Sequence, residues 1–213
     1  MKVRRRGEKF RFRAQVRAAL IAGCAIGCLL GCSEPVVPKP QGYPRLEYPA
    51  FEYARYTHPC GIAFDVPVYG KIERIEQPGS LSDACWFNCA LPRFSAKIHC
   101  TYMTLLGADH LMELANDAHR MVFSHELKAS GIETRAFDFP DHSVSGLLFR
   151  LSGPVASPVQ FFATDSTDHF LRGSLYFDHS PNPDSLQPSL DHVEQDIVHL
   201  IETLAWPETD STP

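Results

Sequence analysis

The first 32 residues constrain this chain most, because they decide which part of it is left to fold. Residues 1–31 carry eight basic residues against the single acid Glu8, and no charged residue occurs from Ala18 to Leu30. That apolar run is short for a bilayer-spanning helix and typical of the core of an export signal. It ends in Leu29-Leu30-Gly31-Cys32, the arrangement of a bacterial lipobox. We therefore predict a lipoprotein signal peptide over 1–31 and lipid attachment at Cys32.

Acylation at Cys32 would fasten the processed chain to a membrane. The thiol receives a diacylglyceryl group, and the amine freed by cleavage accepts a further acyl chain such as palmitate. Each buried methylene contributes about 0.8 kcal/mol, so two or three chains hold durably where one chain does not. We expect a lipoprotein of the cell envelope that faces the periplasm, on either the inner or the outer membrane.

The charge of the processed chain excludes one class of partner. Eight of the 20 basic residues and one of the 25 acidic residues lie in the leader, so 12 basic and 24 acidic residues remain, a net charge of −12. Nucleic-acid binding needs a basic surface that meets phosphates. The sequence therefore predicts no nucleic-acid partner.

Cysteine usage fits an oxidising compartment. Two of the seven cysteines lie in the leader and a third is Cys32, which leaves an even set: Cys60, Cys85, Cys89 and Cys100. An even set in an exported protein predicts disulfides. We pair Cys60 with Cys85, which flank a long insertion between two predicted strands, and Cys89 with Cys100 across a hairpin. Two unpaired buried thiols remain the alternative for the second pair.

Between the lipid and the fold lies a predicted tether, residues 32–59, rich in proline and tyrosine. Prolines at this density oppose a helix and favour an extended, polyproline-like chain. The tyrosines indicate that part of the segment lies along the domain surface. A globular domain is predicted for 60–206, and a polar tail for 207–213.

Hydrophobic periodicity predicts an α+β domain. Apolar residues alternate from Ile62 to Val68, and two further strands form a hairpin around Pro92. A helix is predicted from Asp109 to Gly131, with apolar residues at three- and four-residue steps. Four strands follow, over 132–139, 144–152, 155–164 and 169–178, and then a helix over 188–204. The result is a single domain with an antiparallel sheet and two packed helices, a pattern similar to that of PsbP and Mog1 proteins.

The corner between the last two strands gathers polar residues that could suggest catalysis. A serine hydrolase would need its nucleophile on a constrained strand-to-helix turn, which Ser166 and its surroundings lack. We predict no catalytic residue, and the candidates for partner binding are Thr164, Asp165, Ser166, His169 and Arg172. The competing interpretation is that Asp165 and Arg172 simply stabilise the hairpin.

The last helix raises a metal question. His192, Asp196 and His199 lie at spacings of four and three, so they share one side of that helix. Such pairs are more often surface hydrogen bonds than ligands, and zinc sites need a full set of donors. We predict neither a metal site nor a cofactor.

Several strings resemble one family over nearly all of the processed chain. They begin just after Cys32 and extend into the last helix, and they are Pro38-Lys39-Pro40-x-Gly42-Tyr43, Cys85-Trp86-Phe87-Asn88, the run from Val159 to Gly173, Pro181-Asn182-x-Asp184-Ser185-Leu186-x-Pro188 and the run from Asp196 to Leu204. They are similar to the gliding motility-associated lipoprotein GldD. The long basic leader before Ala18, which a start codon placed too early would explain, and the additional Cys89 and Cys100 depart from that family.

The resemblance implies a non-enzymatic envelope lipoprotein that serves gliding motility and type IX secretion. Its expected partners are other envelope proteins of that machinery, together with the membrane through the lipid anchor. An alternative is a small-ligand or lipid-binding periplasmic module, with a pocket between sheet and helix lined by Trp86, Phe161, Phe162 and Phe177.

Overall fold

A computed structural model describes residues 47–75, 84–178 and 183–207. The predicted signal peptide, Cys32, the first part of the predicted tether and nearly all of the predicted tail lie outside these residues. Lipid attachment at Cys32 therefore stays a prediction from the sequence.

In the described ranges, seven antiparallel strands form the main sheet. In chain order they are β3 (Lys71–Ile75), β4 (Cys85–Leu91), β5 (Ala96–Thr104), β6 (Gly131–Phe139), β7 (Val144–Ser152), β8 (Val159–Thr164) and β9 (His169–Phe177). In space the order is β3-β4-β5-β9-β8-β7-β6, so β9 lies at the centre and β3 and β6 form the two edges. Since β5 and β9 pair over their whole length, the two halves of the sheet are joined by strands that are distant in sequence.

Two further strands, β1 (Tyr53–Thr57) and β2 (Ala63–Pro67), form a separate antiparallel hairpin. Alternation buries Phe64 and Val66 of β2 on one side, as the period of a strand requires. The hairpin is linked to a residue near the C-terminus, because the backbone groups of Ala63 and Ala205 exchange two hydrogen bonds.

Two helices cover the main sheet on opposite faces. Helix α1 (Ala108–Phe123) buries Ala118 and Val122 in an apolar cluster that includes Phe149, Phe162 and Phe170. Helix α2 (Pro183–Glu202) and the β1–β2 hairpin cover the other face, where Val193 and Ile197 of α2 join the larger cluster. Phe161 and Phe162 are consecutive on β8, so they enter different clusters. The predicted α+β fold, with an antiparallel sheet and two helices, is confirmed.

Two hairpins of the main sheet share one turn design. The β4–β5 and β6–β7 connections are single 3₁₀ turns that begin at Pro92 and Pro140 and end at Ser95 and Ser143. Proline fixes the φ that starts each turn. Both serines adopt left-handed backbone angles, with φ of 48° and 51°, which carries each chain into its next strand.

Some element boundaries differ from the sequence prediction. Of the predicted tether, residues 47–59 belong to the folded unit, because Tyr53–Thr57 forms β1 and pairs with β2. The predicted helix ending at Gly131 stops at Phe123, and Gly131 instead begins β6. Pro188, placed in the first turn by the sequence, stands inside α2, which begins at Pro183.

One predicted disulfide is present and the other is not. Cys60 and Cys85 are bridged, with Cα atoms 6.7 Å apart, and join the turn after β1 to the start of β4. Cys89 and Cys100 are free and buried, so the second predicted bridge is wrong. The register explains this, because Cys89 lies opposite Ile98 and Cys100 lies opposite Phe87. The two thiols are therefore diagonal neighbours, at a separation that a disulfide does not span.

Candidate functional site

The predicted partner-binding corner between β8 and β9 is held together by its own hydrogen bonds. Asp165 Oδ1 accepts from the backbone N–H groups of Thr167, Asp168 and His169 at 3.0, 2.9 and 2.8 Å. The buried Thr164 hydroxyl donates to the His169 carbonyl at 2.6 Å and accepts from the Ser166 N–H at 2.9 Å. This is the local side-chain capping that favours Asp and Thr in turns.

The electrostatics of Asp165 agree with that capping. Burial raises the pKa of this carboxyl, but the hydrogen bonds from the three backbone N–H groups outweigh burial, so its pKa lies below its usual value. The carboxylate is thus held in its ionised form as an acceptor for the turn.

His169 and Ser166 do not form a nucleophile–base pair in the described residues. The buried His169 ring is hydrogen-bonded through Nδ1 to the Tyr102 hydroxyl at 2.9 Å and stacks on Trp206 at a centroid distance of 5.4 Å. Ser166 is exposed at the tip of the turn, with φ of 70°. Of the five predicted residues, Thr164, Asp165, Ser166 and His169 build the corner itself.

Arg172 differs from the other four, since it lies away from the tip on the face of the sheet that α1 partly covers. Its register partners are Thr101 on β5 and Phe162 on β8. Burial lowers the pKa of the Arg172 guanidinium, while Tyr176 and Asp117 of α1 raise it. Its side chain donates to the Ser174 hydroxyl at 3.4 Å, so it lies flat along β9.

Beside Arg172 is a polar and aromatic surface that we call the uncovered sheet face. It consists of Trp86, His99, Thr101, Arg172 and Tyr176. Trp86, Thr101 and Arg172 form one cross-strand row, and the His99 and Tyr176 rings meet edge to face at 5.2 Å. Among the described residues none of these five belongs to either apolar cluster, because α1 packs farther along the sheet. All of them keep solvent exposure.

A second polar arrangement lies where the N-terminal segment meets α2. We call it the anchor clasp, and its members are Tyr48, Phe51 and Tyr53 from the segment, Tyr69 after β2, and His192, Asp196 and His199 from α2. Phe51 stacks on His192 at 4.3 Å and Tyr53 on His199 at 3.7 Å. The Tyr53 hydroxyl donates to Asp196 Oδ1 at 3.0 Å, and the Tyr69 hydroxyl donates to Oδ2.

The clasp accounts for the histidine and aspartate spacing on α2. Asp196 is 2 % exposed and uses both oxygens on tyrosine hydroxyls, while His199 Nε2 lies 3.3 Å from Asp65 Oδ2. Burial raises the pKa of the Asp196 carboxyl, although the hydrogen bonds from Tyr69 and Tyr53 lower it. Burial also lowers the pKa of His192. These side chains hold the segment to α2, a role that the spacing alone did not reveal.

One other group has the donor types of a metal site. The ligand atoms of His58, Cys60 and Cys85 lie within 4.8 Å of one another. Both sulfurs are used by the disulfide, so the group does not offer the set of ligands that zinc requires.

The four aromatics predicted to line a ligand pocket do not come together. Phe161 and Phe162 face opposite sides of the sheet, and Trp86 lies on the uncovered sheet face. Phe177 lines a cleft of about 230 Å³ between the β7–β8 loop and the start of α2, together with Leu151, Val155 and Leu190. A mainly apolar cleft exists, but its lining is not the predicted one.

The fold and the anchor clasp define a class of protein. It is a small α+β domain whose N-terminal segment is bound along its last helix, α2. The family model of the gliding motility lipoprotein GldD matches residues 33–206, and the chain belongs to this family. It is thus a gliding motility lipoprotein, anchored to a membrane of the cell envelope and associated with the motility machinery. No curated protein matches the chain. Within the described residues, no helix has the length and apolar character to cross a membrane.

Proposed function

We propose that this lipoprotein is a non-enzymatic accessory or scaffold subunit of the gliding and type IX secretion machinery. Acyl chains on Cys32 anchor it on the periplasmic side. The anchor clasp holds the last part of the tether against the domain, and the uncovered sheet face binds another envelope protein. The observation that carries the proposal is the row Trp86, Thr101 and Arg172, which is partly exposed on a rigid sheet.

The residue types in that row suit protein recognition. Tryptophan and arginine are enriched among the residues that dominate binding free energies, because they bury large areas and make directional contacts. Arg172 is already partly desolvated, so a partner that covers it removes little further water from the guanidinium. The rigid sheet holds the row in place before binding, which limits the entropy lost on association.

The non-enzymatic part of the proposal is supported by how the candidate catalytic groups are used. His169 bonds to Tyr102, and Asp165 caps the turn. Neither group is aimed at the Ser166 hydroxyl, so the corner lacks the base and orienting residue that a serine nucleophile requires.

The test is a pair of variants that change the row without disturbing the core. Arg172→Gln removes the charge, and Thr101→Gln adds bulk between Trp86 and Arg172. We expect both proteins to fold, to reach the membrane in normal amounts and to abolish gliding. Lys128→Gln, an exposed position after α1, is the matched control and should glide normally. Normal motility with the two row variants combined contradicts the docking surface.

The anchor is tested separately with the intact lipoprotein. Cross-linking in cells followed by pull-down should recover envelope partners with the natural protein. Cys32→Ser should leave the protein in the aqueous fraction and lose those partners. Recovery of the natural protein from the aqueous fraction would show that it is not lipidated.

A second candidate function, a small-ligand module, is favoured by the cleft beside Phe177. Its volume of about 230 Å³ admits a small apolar group. An Ala156→Trp variant should fill it, since Ala156 lines the cleft and is exposed, whereas the neighbouring Val155 is packed in the core. If the cleft binds an essential ligand, gliding fails in this variant while Arg172→Gln is active, which is the reverse of the docking result.

A further inference from the structure

The outer edge of β6 is an unpaired strand edge, and we propose that it pairs with the same edge of a second copy of this chain. The pairing is antiparallel, with the two-fold axis at Thr134. Strand β6 pairs with β7 over all nine of its residues. On its other side no described residue forms a strand with it, since β6 ends the sheet. Most of its residues are exposed.

The two edges of the sheet are built differently. Strand β3 has five residues, of which Lys71, Glu73 and Arg74 are charged, and short charged edges are a known protection against pairing. Strand β6 is nearly twice as long, contains no proline, and its register with β7 is continuous without a bulge. It carries three charged residues, as β3 does, but it is not short and has neither a proline nor a bulge to keep the edge from accepting another strand.

Self-pairing centred on Thr134 matches two charged residues of the strand, Glu133 and Arg135, with each other. With the axis at this residue, Glu133 of one copy lies opposite Arg135 of the other, and the relation occurs twice. Arg135 contacts Glu194 of its own chain at 3.2 Å, but its side chain is 57 % exposed, which leaves N–H groups for a second carboxylate. Moving the axis to Arg135 places two arginines opposite each other, and moving it to Glu133 opposes two glutamates. Like charges directly opposite are destabilising.

The same register also matches the uncharged side chains. Ile132 lies opposite Ala136 on one face of the strand, beside the paired Thr134 residues, and Thr–Thr pairs favour cross-strand contact. On the other face Gly131 lies opposite Phe137, so a half-buried aromatic ring covers a position without a side chain. Both faces of the strand are thus complementary to a second copy in one register.

Membrane anchoring strengthens the pairing. Members of this family are lipoproteins, and chains held on one membrane surface meet at a high effective concentration. The dimer forms one continuous sheet of 14 strands, twice the seven of each copy. It leaves the uncovered sheet face, which lies toward β3, free for another partner.

Site-specific cross-linking tests the interface with the full-length lipoprotein in membranes. Thr134→Cys places two thiols opposite each other across the axis, and mild oxidation should link at least several-fold more protein as dimer than in the unchanged protein. Ala136→Cys alone should stay monomeric, whereas a mixture of Ala136→Cys and Ile132→Cys should give the mixed dimer. Glu73→Cys on the opposite edge is the surface control and should not cross-link.

Charge reversal gives a second readout. Arg135→Glu in the Thr134→Cys background should abolish the dimer, and adding Glu133→Arg should restore it. A monomeric Thr134→Cys protein that is folded and on the membrane overturns the proposal, even if β6 binds a strand from a different protein. Equal cross-linking of Ala136→Cys with itself overturns the register.

Discussion

The hydroxyl of Tyr53 donates a hydrogen bond to Oδ1 of Asp196 at 3.0 Å, joining residues 143 positions apart in the chain. Tyr53 is the first residue of β1, and Asp196 lies two turns before the end of α2. The bond therefore connects the N-terminal segment, at the point where it enters β1, to the last helix. Tyr69 donates to the other carboxylate oxygen, so the acceptor is shared between two parts of the fold.

Replacement of Asp196 should reveal how much this shared acceptor contributes. Asp196→Ala leaves two tyrosine hydroxyls without their partner in a buried site and should lower the free energy of unfolding by about 2 kcal/mol. Asp196→Asn should cost less than about 1 kcal/mol, because the amide oxygen accepts from one hydroxyl and the amide N–H donates to the other. Urea denaturation of the three proteins measures both differences.

The control for this prediction is Tyr53→Phe, which keeps the ring stacked on His199 and removes only the hydroxyl. Combined with Asp196→Ala it should add little further loss, since the two changes remove the same bond. Fully additive losses contradict the coupling between the two residues.

Acid should weaken the clasp through His192. Its pKa is lowered by burial, so its contribution to stability is present above the unfolded pKa of about 6.5 and is lost as the pH falls below that value. The groups that face it are Tyr48, Phe51, Tyr69, Phe94 and the Asp196 carboxylate, which raises its pKa. Between pH 7.5 and 5.5 the natural protein should lose more stability than His192→Phe, measured by urea midpoints.

Asp196 acts on stability in the opposite direction. Its pKa is raised by burial, so its contribution to the free energy of unfolding is fully present below pH 3.8 and is lost as the pH rises through the folded pKa.

The control for the His192 prediction is His142→Gln, a change at an exposed position. This variant should lose as much stability between pH 7.5 and 5.5 as the natural protein does. A His192→Phe protein that is as sensitive to acid as the natural one contradicts the assignment.

The sequence predicted the fold better than the sites, for physical reasons. Strands β7 and β9 are rich in apolar residues, and that signal is local in the sequence. Strands β1 and β3 were missed because their residues stay largely exposed, so they leave little hydrophobic periodicity. The tyrosines of the tether predicted that part of it lies along the domain surface, and Tyr48 and Tyr53 do so. That they contact α2 could not be predicted, because only the tertiary structure brings residues 48–69 to that helix.

Cysteine chemistry shows the same limit. The spacing of the cysteines predicted the Cys60–Cys85 bridge. Whether Cys89 and Cys100 can form a bridge depends on the register of β4 and β5, which the sequence does not show. A one-residue difference in register decides whether two thiols are opposite or diagonal. The corner from Thr164 to Arg172 was identified as a strand–turn–strand element, while the separate location of Arg172 on the sheet face came from its pairing with Thr101.

The thiols of the folded protein should react in two classes. Burial raises the pKa of Cys89 to about 12 and that of Cys100 well above its usual value, so both should resist alkylation until the chain unfolds. Cys60 and Cys85 should react only after reduction. Mass spectrometry after alkylation, with and without denaturant and reductant, separates these classes. A peptide that joins Cys89 to Cys100 contradicts the structure.

Removal of the Cys60–Cys85 bridge should be costly. It closes a loop of 25 residues, so Cys60→Ala combined with Cys85→Ala should lower the free energy of unfolding by about 3 kcal/mol. Cys89→Ala is the matched control, because it removes a buried sulfur without a cross-link, and should cost about 1 kcal/mol. Equal losses in the two proteins contradict a bridge that constrains the unfolded chain.

Asp165 should prove to stabilise the turn, a role that variants can distinguish from the role of Arg172. Asp165→Ala removes the acceptor of three backbone N–H groups and should cost about 1 to 2 kcal/mol, because the turn loses its cap. Arg172→Gln should change stability by less than about 0.5 kcal/mol, since it gives up a long hydrogen bond to Ser174 and the attraction of Asp117, while the burial cost of the charge is also removed. Thermal unfolding of each variant should be compared with its gliding.

The control is Asp165→Asn, which keeps one acceptor oxygen, so it should recover most of the lost stability and, with it, motility. If Asp165→Ala is as stable as the natural protein and yet abolishes gliding, the carboxylate contacts a partner directly and the corner itself is the docking site.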